Sequence, residues 1–166
     1  MKYEALLQEA ASKDIYIIEN ADFDSSADAL INGDVIGLNK NINEIRKRTC
    51  VLAEELGHYH TTVGNILDQS EVNERKQEVQ ARAWAYNRLI GLDGIIEAYT
   101  QGCRDLCETA EYLEVTEEFL SDAILYYKSK FGTHVKTDGY IIFFEPSIAV
   151  LERKTGILLK SGNSAG

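Results

Sequence analysis

The chain has 166 residues, a formal net charge of -10, 45% hydrophobic and 27% charged residues. That profile belongs to a soluble globular chain long enough to bury a core without disulfide or metal staples. It disfavours a nucleic-acid binder, because an acidic surface repels phosphate unless a basic patch is set apart on it.

Three cysteines, Cys50, Cys103 and Cys107, are too few and too odd in number for a secreted disulfide scaffold. Cys103 and Cys107 are four apart, the spacing of one side of a helix, and all three read as ordinary buried thiols. The start "MKYEALLQEA" lacks the apolar core of a signal peptide. No apolar run approaches the ~18 residues of a membrane span. The expected location is the cytoplasm, with no membrane partner.

In chain order, Tyr3, Leu6, Leu7 and Ala10 place a short amphipathic helix at 2–12. "IYIIEN" (15–20) is β-branched and aromatic, a strand. "ALINGDVIGLNK" (29–40) has two apolar runs around Asn32-Gly33, a hairpin with the turn chemistry of type I′. Asn41 to Glu44 resembles a capping box, with Asn43 as an alternative cap, so a helix should follow from about 44 to 61. A second helix starts at a cap on Asp68 or Ser70 and runs to about Ile90. Residues 93–101, 104–113 and 116–131 are further helices, the last two joined by a tight turn at Glu114-Val115. The single proline, Pro146, leaves these helices uninterrupted. "YIIFFEP" (140–146) is a strand after the Asp138-Gly139 turn, and "SGNSAG" (161–166) is a flexible tail by composition.

The helix near residue 50 contains "VLAEELGHYH". With 100° per residue and Val51 at zero, Glu55 lies at about 40°, His58 at about 340° and Glu54 at about 300°. Leu52, Leu56 and Tyr59 form a separate apolar arc, and Ala53 and Gly57 a third side where another backbone can come close. Two acids and an imidazole on one arc form either a solvated stripe or half of a metal site. In the metal reading, Glu54 and His58, four apart, reach one ion, and Glu55 stands beside it to take a proton from bound water. A carboxylate in place of an imidazole makes the site harder, so Mn2+ or Fe2+ fits as well as Zn2+.

A third ligand would come from the next helix. Glu78, Ala81, Ala85 and Leu89 form a stripe that opens with an acid. A buried unpaired carboxylate is costly, so Glu78 either lies exposed at the helix start or meets a cation: a metal, or Arg82 one turn on. Glu74 and Glu71 share the face as weaker candidates. His60 points about 200° from His58 on an intact helix, and His134 reads as a surface residue in a turn-rich stretch.

"LAEELGHYH" (52–60), followed by Glu78-x-x-Ala81-x-x-Trp84-Ala85 and Leu89-Ile90, resembles the ImmA/IrrE-type metallopeptidases of bacteria, phages and mobile elements. Those proteins carry a helix reading like "LAHELGHH" and then a helix reading like E-x-x-A-x-x-F-A. The resemblance covers about residues 1–95. It implies an α+β fold, a mainly helical zincin-like domain at 1–95 with a small antiparallel sheet, and a C-terminal extension at 96–160. It implies that His58 and Glu78 are ligands and Glu55 the catalytic base. Glu54 departs from the pattern by standing where the first ligand histidine would be.

The resemblance further implies cleavage or inactivation of a helix-turn-helix repressor, with induction of phage or mobile-element genes. The Glu54 departure keeps a second expectation open: a non-catalytic antirepressor or adaptor that binds its partner without cutting it. A metal-free structural protein is the third. Substrate backbone is expected to add to the hairpin sheet near Val35, Ile36, Gly37 and Leu38.

The helices at 104–131 resemble a helix-turn-helix, but residues 97–122 hold eight acids and one base, Arg104. Phosphate would repel such a recognition helix, so the pair is expected to pack or bind a partner. The run Arg46-Lys47-Arg48 is expected to be a solvated face.

Overall fold

Tyr3, Leu6 and Ala10 are buried together on one face of α1 (Lys2–Ser12), as their spacing requires. This helix opens the computed structural model, which describes residues 1–62 and 71–154. The expected cap at Asp68 or Ser70, the side chain of Glu71 and the tail at 161–166 lie outside the described residues.

Asp14 takes a left-handed φ of 57° and turns the chain into β1 (Tyr16–Ala21). The hairpin follows as β2 (Ala29–Asn32) and β3 (Val35–Asn39). Asn32 pairs directly with Val35, so the two turn residues are Gly33 and Asp34. Only Gly33 has a positive φ, 58°, which is the type II′ pattern and not the type I′ expected from Asn-Gly.

The strand order is β1-β3-β2, with β1 parallel to β3 and the hairpin antiparallel. This order corrects the expected place of substrate addition. Val35, Ile36, Gly37 and Leu38 belong to the central strand, and their backbone is flanked by β1 on one side and β2 on the other. Ile36, Gly37 and Leu38 are also buried. The open edges are β1, which meets α1, and β2, which meets α2.

The helix α2 (Ile45–Thr62) begins with a bond from Arg48 N–H to Glu44 carbonyl (3.0 Å), so the helix starts after Glu44 and not at Asn41 or Asn43. Asn39 organises the approach instead: its Oδ1 accepts from Asn41 N–H (3.0 Å) and its Nδ2 donates to Ala27 carbonyl (3.0 Å). The basic run keeps the solvent contact expected of it, with the side chains of Arg46 and Lys47 38% and 42% exposed, but its charges are engaged. Arg46 pairs with Glu44 (2.9 Å) and Lys47 with Asp28 (2.8 Å). Arg48 donates to the carbonyls of Ile42 (2.7 Å) and Glu19 (2.9 Å), strapping α2 to the end of β1.

The remaining helices are α3 (Glu71–Leu89), α4 (Gly91–Thr100), α5 (Leu106–Tyr112) and α6 (Glu117–Phe131). Asp105 caps α5 by accepting from Glu108 N–H (2.8 Å), and Thr116 caps α6 by accepting from Phe119 N–H (3.1 Å). Glu114, at φ 56°, makes the tight turn between them. The apolar face of α6, with Phe119, Leu120, Ala123 and Tyr127, is buried, and α6 packs on α3.

A second, antiparallel sheet closes the described chain: β4 (His134–Lys136), β5 (Tyr140–Phe143) and β6 (Ala149–Glu152). Only β5 was expected. His134 is exposed as anticipated, but it lies in a strand and pairs with Phe143. One hydrophobic cluster runs through both sheets and the helices, from Tyr3 to Val150. The fold is α+β and mainly helical. No described helix is long and apolar enough to cross a membrane.

The expected burial of the cysteines holds for Cys50 and not for Cys103 and Cys107. Cys50 is buried, and burial pushes its thiol up to about 11. Cys103 lies in the loop before α5 and is half-buried, while Cys107 is exposed on α5. The two do not share a helix.

Candidate functional site

The helix α2 is held on two sides. Val51, Leu52 and Leu56 are buried with the core, and Ala53 and Gly57 are buried on the side that meets α3. A Cβ built on Gly57 would overlap the carbonyl oxygen of Ala81 and come within 3.0 Å of its carbonyl carbon. Small residues at this crossing let the two backbones touch. Because Ala81 is less than one turn from Glu78, the close crossing brings Glu78 over the polar arc of α2.

There His58 Nε2 lies 3.2 Å from Glu78 Oε2. Glu78 is about half exposed at 45%, and its other oxygen, Oε1, accepts from Arg82 Nε at 2.8 Å. Of the two alternatives read from the sequence, the second holds: Glu78 lies two turns into α3 rather than at its start, and it meets a cation, Arg82. Glu54 and Glu55 flank this pair, each half-buried.

Burial raises the proton affinity of Glu55 most, and the carboxylates of Glu54 and Glu78 add to it. Together they push it up to about 7. Glu54 is also raised, chiefly by burial, with Arg82 opposing the rise and Glu78 supporting it. The value reached by Glu55 suits it to take a proton near neutral pH.

His60 is on another side. Its Nε2 lies 2.9 Å from Lys13 Nζ and 3.6 Å from Glu9 Oε1, and its ring lies against Trp84 with centroids 4.7 Å apart. It ties α1 to α2 and α3, as its helical angle required. Glu74 is exposed.

Two ligands of one tetrahedral zinc ion, each ~2.0–2.1 Å from it, stand ~3.3 Å apart. The 3.2 Å separation of His58 and Glu78 fits that geometry. The donor types, imidazole and carboxylate, also fit a divalent ion. Glu54 is one turn before His58 on the same helix, but it does not complete the set in this conformation. Among the described residues, no three His, Cys, Asp or Glu side chains stand close enough to hold an ion together.

A cleft of about 190 Å3 opens beside Glu54, between α2, α3 and the start of α6. Asp28, Lys47, Arg82, Glu118 and Asp122 line it with Glu54. Asp28 immediately precedes the edge strand β2, so the cleft runs from that edge to the acidic end of the site. Sequence reasoning weighed Arg82 only as a partner of Glu78 and missed Asp28 and Asp122. The i, i+4 spacing signals Arg82, whereas the placement of Asp28 and Asp122 depends on packing between distant elements.

A family model, Peptidase_M78, the IrrE N-terminal-like domain, matches residues 2–124. No curated protein matches the chain.

Proposed function

Because this chain belongs to the Peptidase_M78 family of the IrrE N-terminal-like domain, we propose that it is a metal-dependent endopeptidase acting on a helix-turn-helix repressor. Glu54, His58 and Glu78 would hold the ion, zinc first, with manganese or iron as alternatives. A divalent ion bound there supplies an acidified water and polarises the scissile carbonyl. Glu55 takes the proton of that water and returns it to the leaving amine. The observation that carries this reading is the approach of His58 to Glu78 at 3.2 Å, with Glu55 one turn before His58.

The edge of β2, next to α2 and leading into the cleft, is the better candidate for substrate addition than the central strand. An extended peptide paired there would lie beside the polar arc of α2. A proline scan of residues 29–32 tests this. Proline at the outward-facing N–H positions should reduce cleavage while the melting curve stays cooperative. Full cleavage by every such variant would rule out strand addition at β2.

A second reading, an adaptor that disables its partner by binding alone, is favoured by one observation: Glu54 stands outside the His58–Glu78 pair. Metal content decides the first point. The purified protein, with His58→Ala and Glu78→Ala, is assayed by elemental mass spectrometry. A near-stoichiometric ion in the parent and its loss in both variants is the expected result. No ion after incubation with zinc and with manganese would overturn the metallopeptidase reading and leave the adaptor.

A further inference from the structure

Arg82 is not a ligand, yet it touches the candidate ligand Glu78 directly. Its Nε donates to Oε1 at 2.8 Å, while His58 Nε2 lies 3.2 Å from Oε2. The two carboxylate oxygens are thus divided between two partners. A glutamate side chain has three rotatable bonds, and a half-exposed one is otherwise free to turn toward solvent. The guanidinium one turn along the same helix restrains that freedom and favours the rotamer with Oε2 directed at His58.

Arg82 also faces the charge problem of the site. Glu54 and Glu55 from the middle of α2 and Glu78 from α3 crowd the crossing of the two helices, and Asp122 of α6 lines the same cleft as Glu54 and Arg82. The other cation of the cleft, Lys47, is paired with Asp28 at 2.8 Å. Arg82 is therefore the cation bonded to a carboxylate of the site itself, and it opposes the rise in the proton affinity of Glu54.

We propose that Arg82 is a positioning residue of the metal site: it holds Glu78 by Oε1 so that Oε2 is presented to the ion beside His58. This rests on the metal-dependent reading of the site. A competing effect must be weighed, because a cation near a divalent ion also repels it. Arg82 and Glu78 are 51% and 45% exposed, so solvent and salt screen that repulsion. The same exposure weakens the Arg82–Glu78 bond, but the direction it gives to Oε2 is short-range geometry, and outer partners of metal ligands typically contribute 10–100-fold in affinity. Positioning therefore outweighs repulsion.

The test is zinc affinity of the full chain, measured by competition with a chromophoric chelator, for the parent, Arg82→Ala and Arg82→Lys. Melting curves in excess chelator check that each variant folds, and the lysine variant serves alone if the alanine variant does not. Positioning predicts weakening by about tenfold or more for alanine, and a smaller loss for lysine, which keeps a donor but not the planar fork. Zinc binding by Arg82→Ala as tight as the parent, or tighter, would overturn the inference and make Arg82 a mere competitor of the ion. Failure of the parent to bind zinc or manganese would instead remove the underlying reading, a result plainly different from an unchanged variant.

Discussion

Glu55→Gln is expected to lose cleavage by about 10²–10⁴-fold, the usual contribution of a positioned general base, while keeping its metal and its grip on the target. Glutamine fills the same space and retains polar atoms, but it cannot take a proton from water. Cleavage of a helix-turn-helix repressor by the parent and not by this variant, with both forming the complex, is the expected outcome. If the variant disables the repressor as well as the parent does, proteolysis is not the mechanism and the adaptor reading stands.

The same substitution should change stability in a pH-dependent way, and the metal-free protein is where this is read. Burial, together with Glu54 and Glu78, pushes Glu55 up to about 7 from a model-peptide value of 4.5. The folded state thus binds this proton more tightly than the unfolded state does. Its contribution is fully present below about pH 4.5 and is lost as pH rises toward and through 7. Partial exposure reduces the effect to about 1–2 kcal/mol. In excess chelator, the parent's melting temperature should fall between pH 5 and pH 8. Glu55→Gln should fall less and be the more stable of the two at pH 8. Glu54 is raised in the same direction, so a residual slope remains. Equal slopes for the two proteins would show that Glu55 ionises as freely in the fold as outside it.

The helices of this protein were legible because each buries a face written at helical spacing. Leu6 with Ala10 in α1 and Ala81 with Ala85 in α3 are examples, all fully buried. The polar arc of α2 was legible for the same reason, since residues four apart on one helix must share a face. Of the second sheet only β5 was legible, as the apolar run that opens at Tyr140. His134–Lys136 is too short to show alternation, and β6 exists because Val150 pairs with Ile142 across the sheet. Nothing within either segment specifies that partner. The central place of β3 was hidden too, since it depends on β1 crossing to the far side of the hairpin. For the site, the sequence named the residues of each helix, but their convergence depends on how closely α2 and α3 approach.

That approach depends on the absence of a side chain at Gly57. Gly57→Ala is expected to destabilise the protein by about 1–3 kcal/mol, the range for forcing an extra carbon into a packed contact, despite the ~1 kcal/mol by which alanine favours a helix interior over glycine. The added Cβ would overlap the Ala81 carbonyl oxygen and stand 3.2 Å from its Cα. These are backbone atoms of a helix, so they cannot swing aside as the end of a side chain can. Relief has to come from moving α3 away from α2. Gly57 adjoins His58, and Ala81 is less than a turn from Glu78, so the same movement draws Glu78 Oε2 from His58. Gly94→Ala is the contrast, because its Cβ would meet only the Cδ2 of Leu113 at 3.2 Å, a flexible tip that can shift by a few tenths of an ångström. Urea denaturation should place Gly57→Ala well below the parent and Gly94→Ala close to it. Zinc affinity should fall in the first and not in the second. A Gly57→Ala protein as stable as the parent, with unchanged metal affinity, would mean that the helices do not cross at this contact. The convergence of His58 and Glu78 would then need another cause.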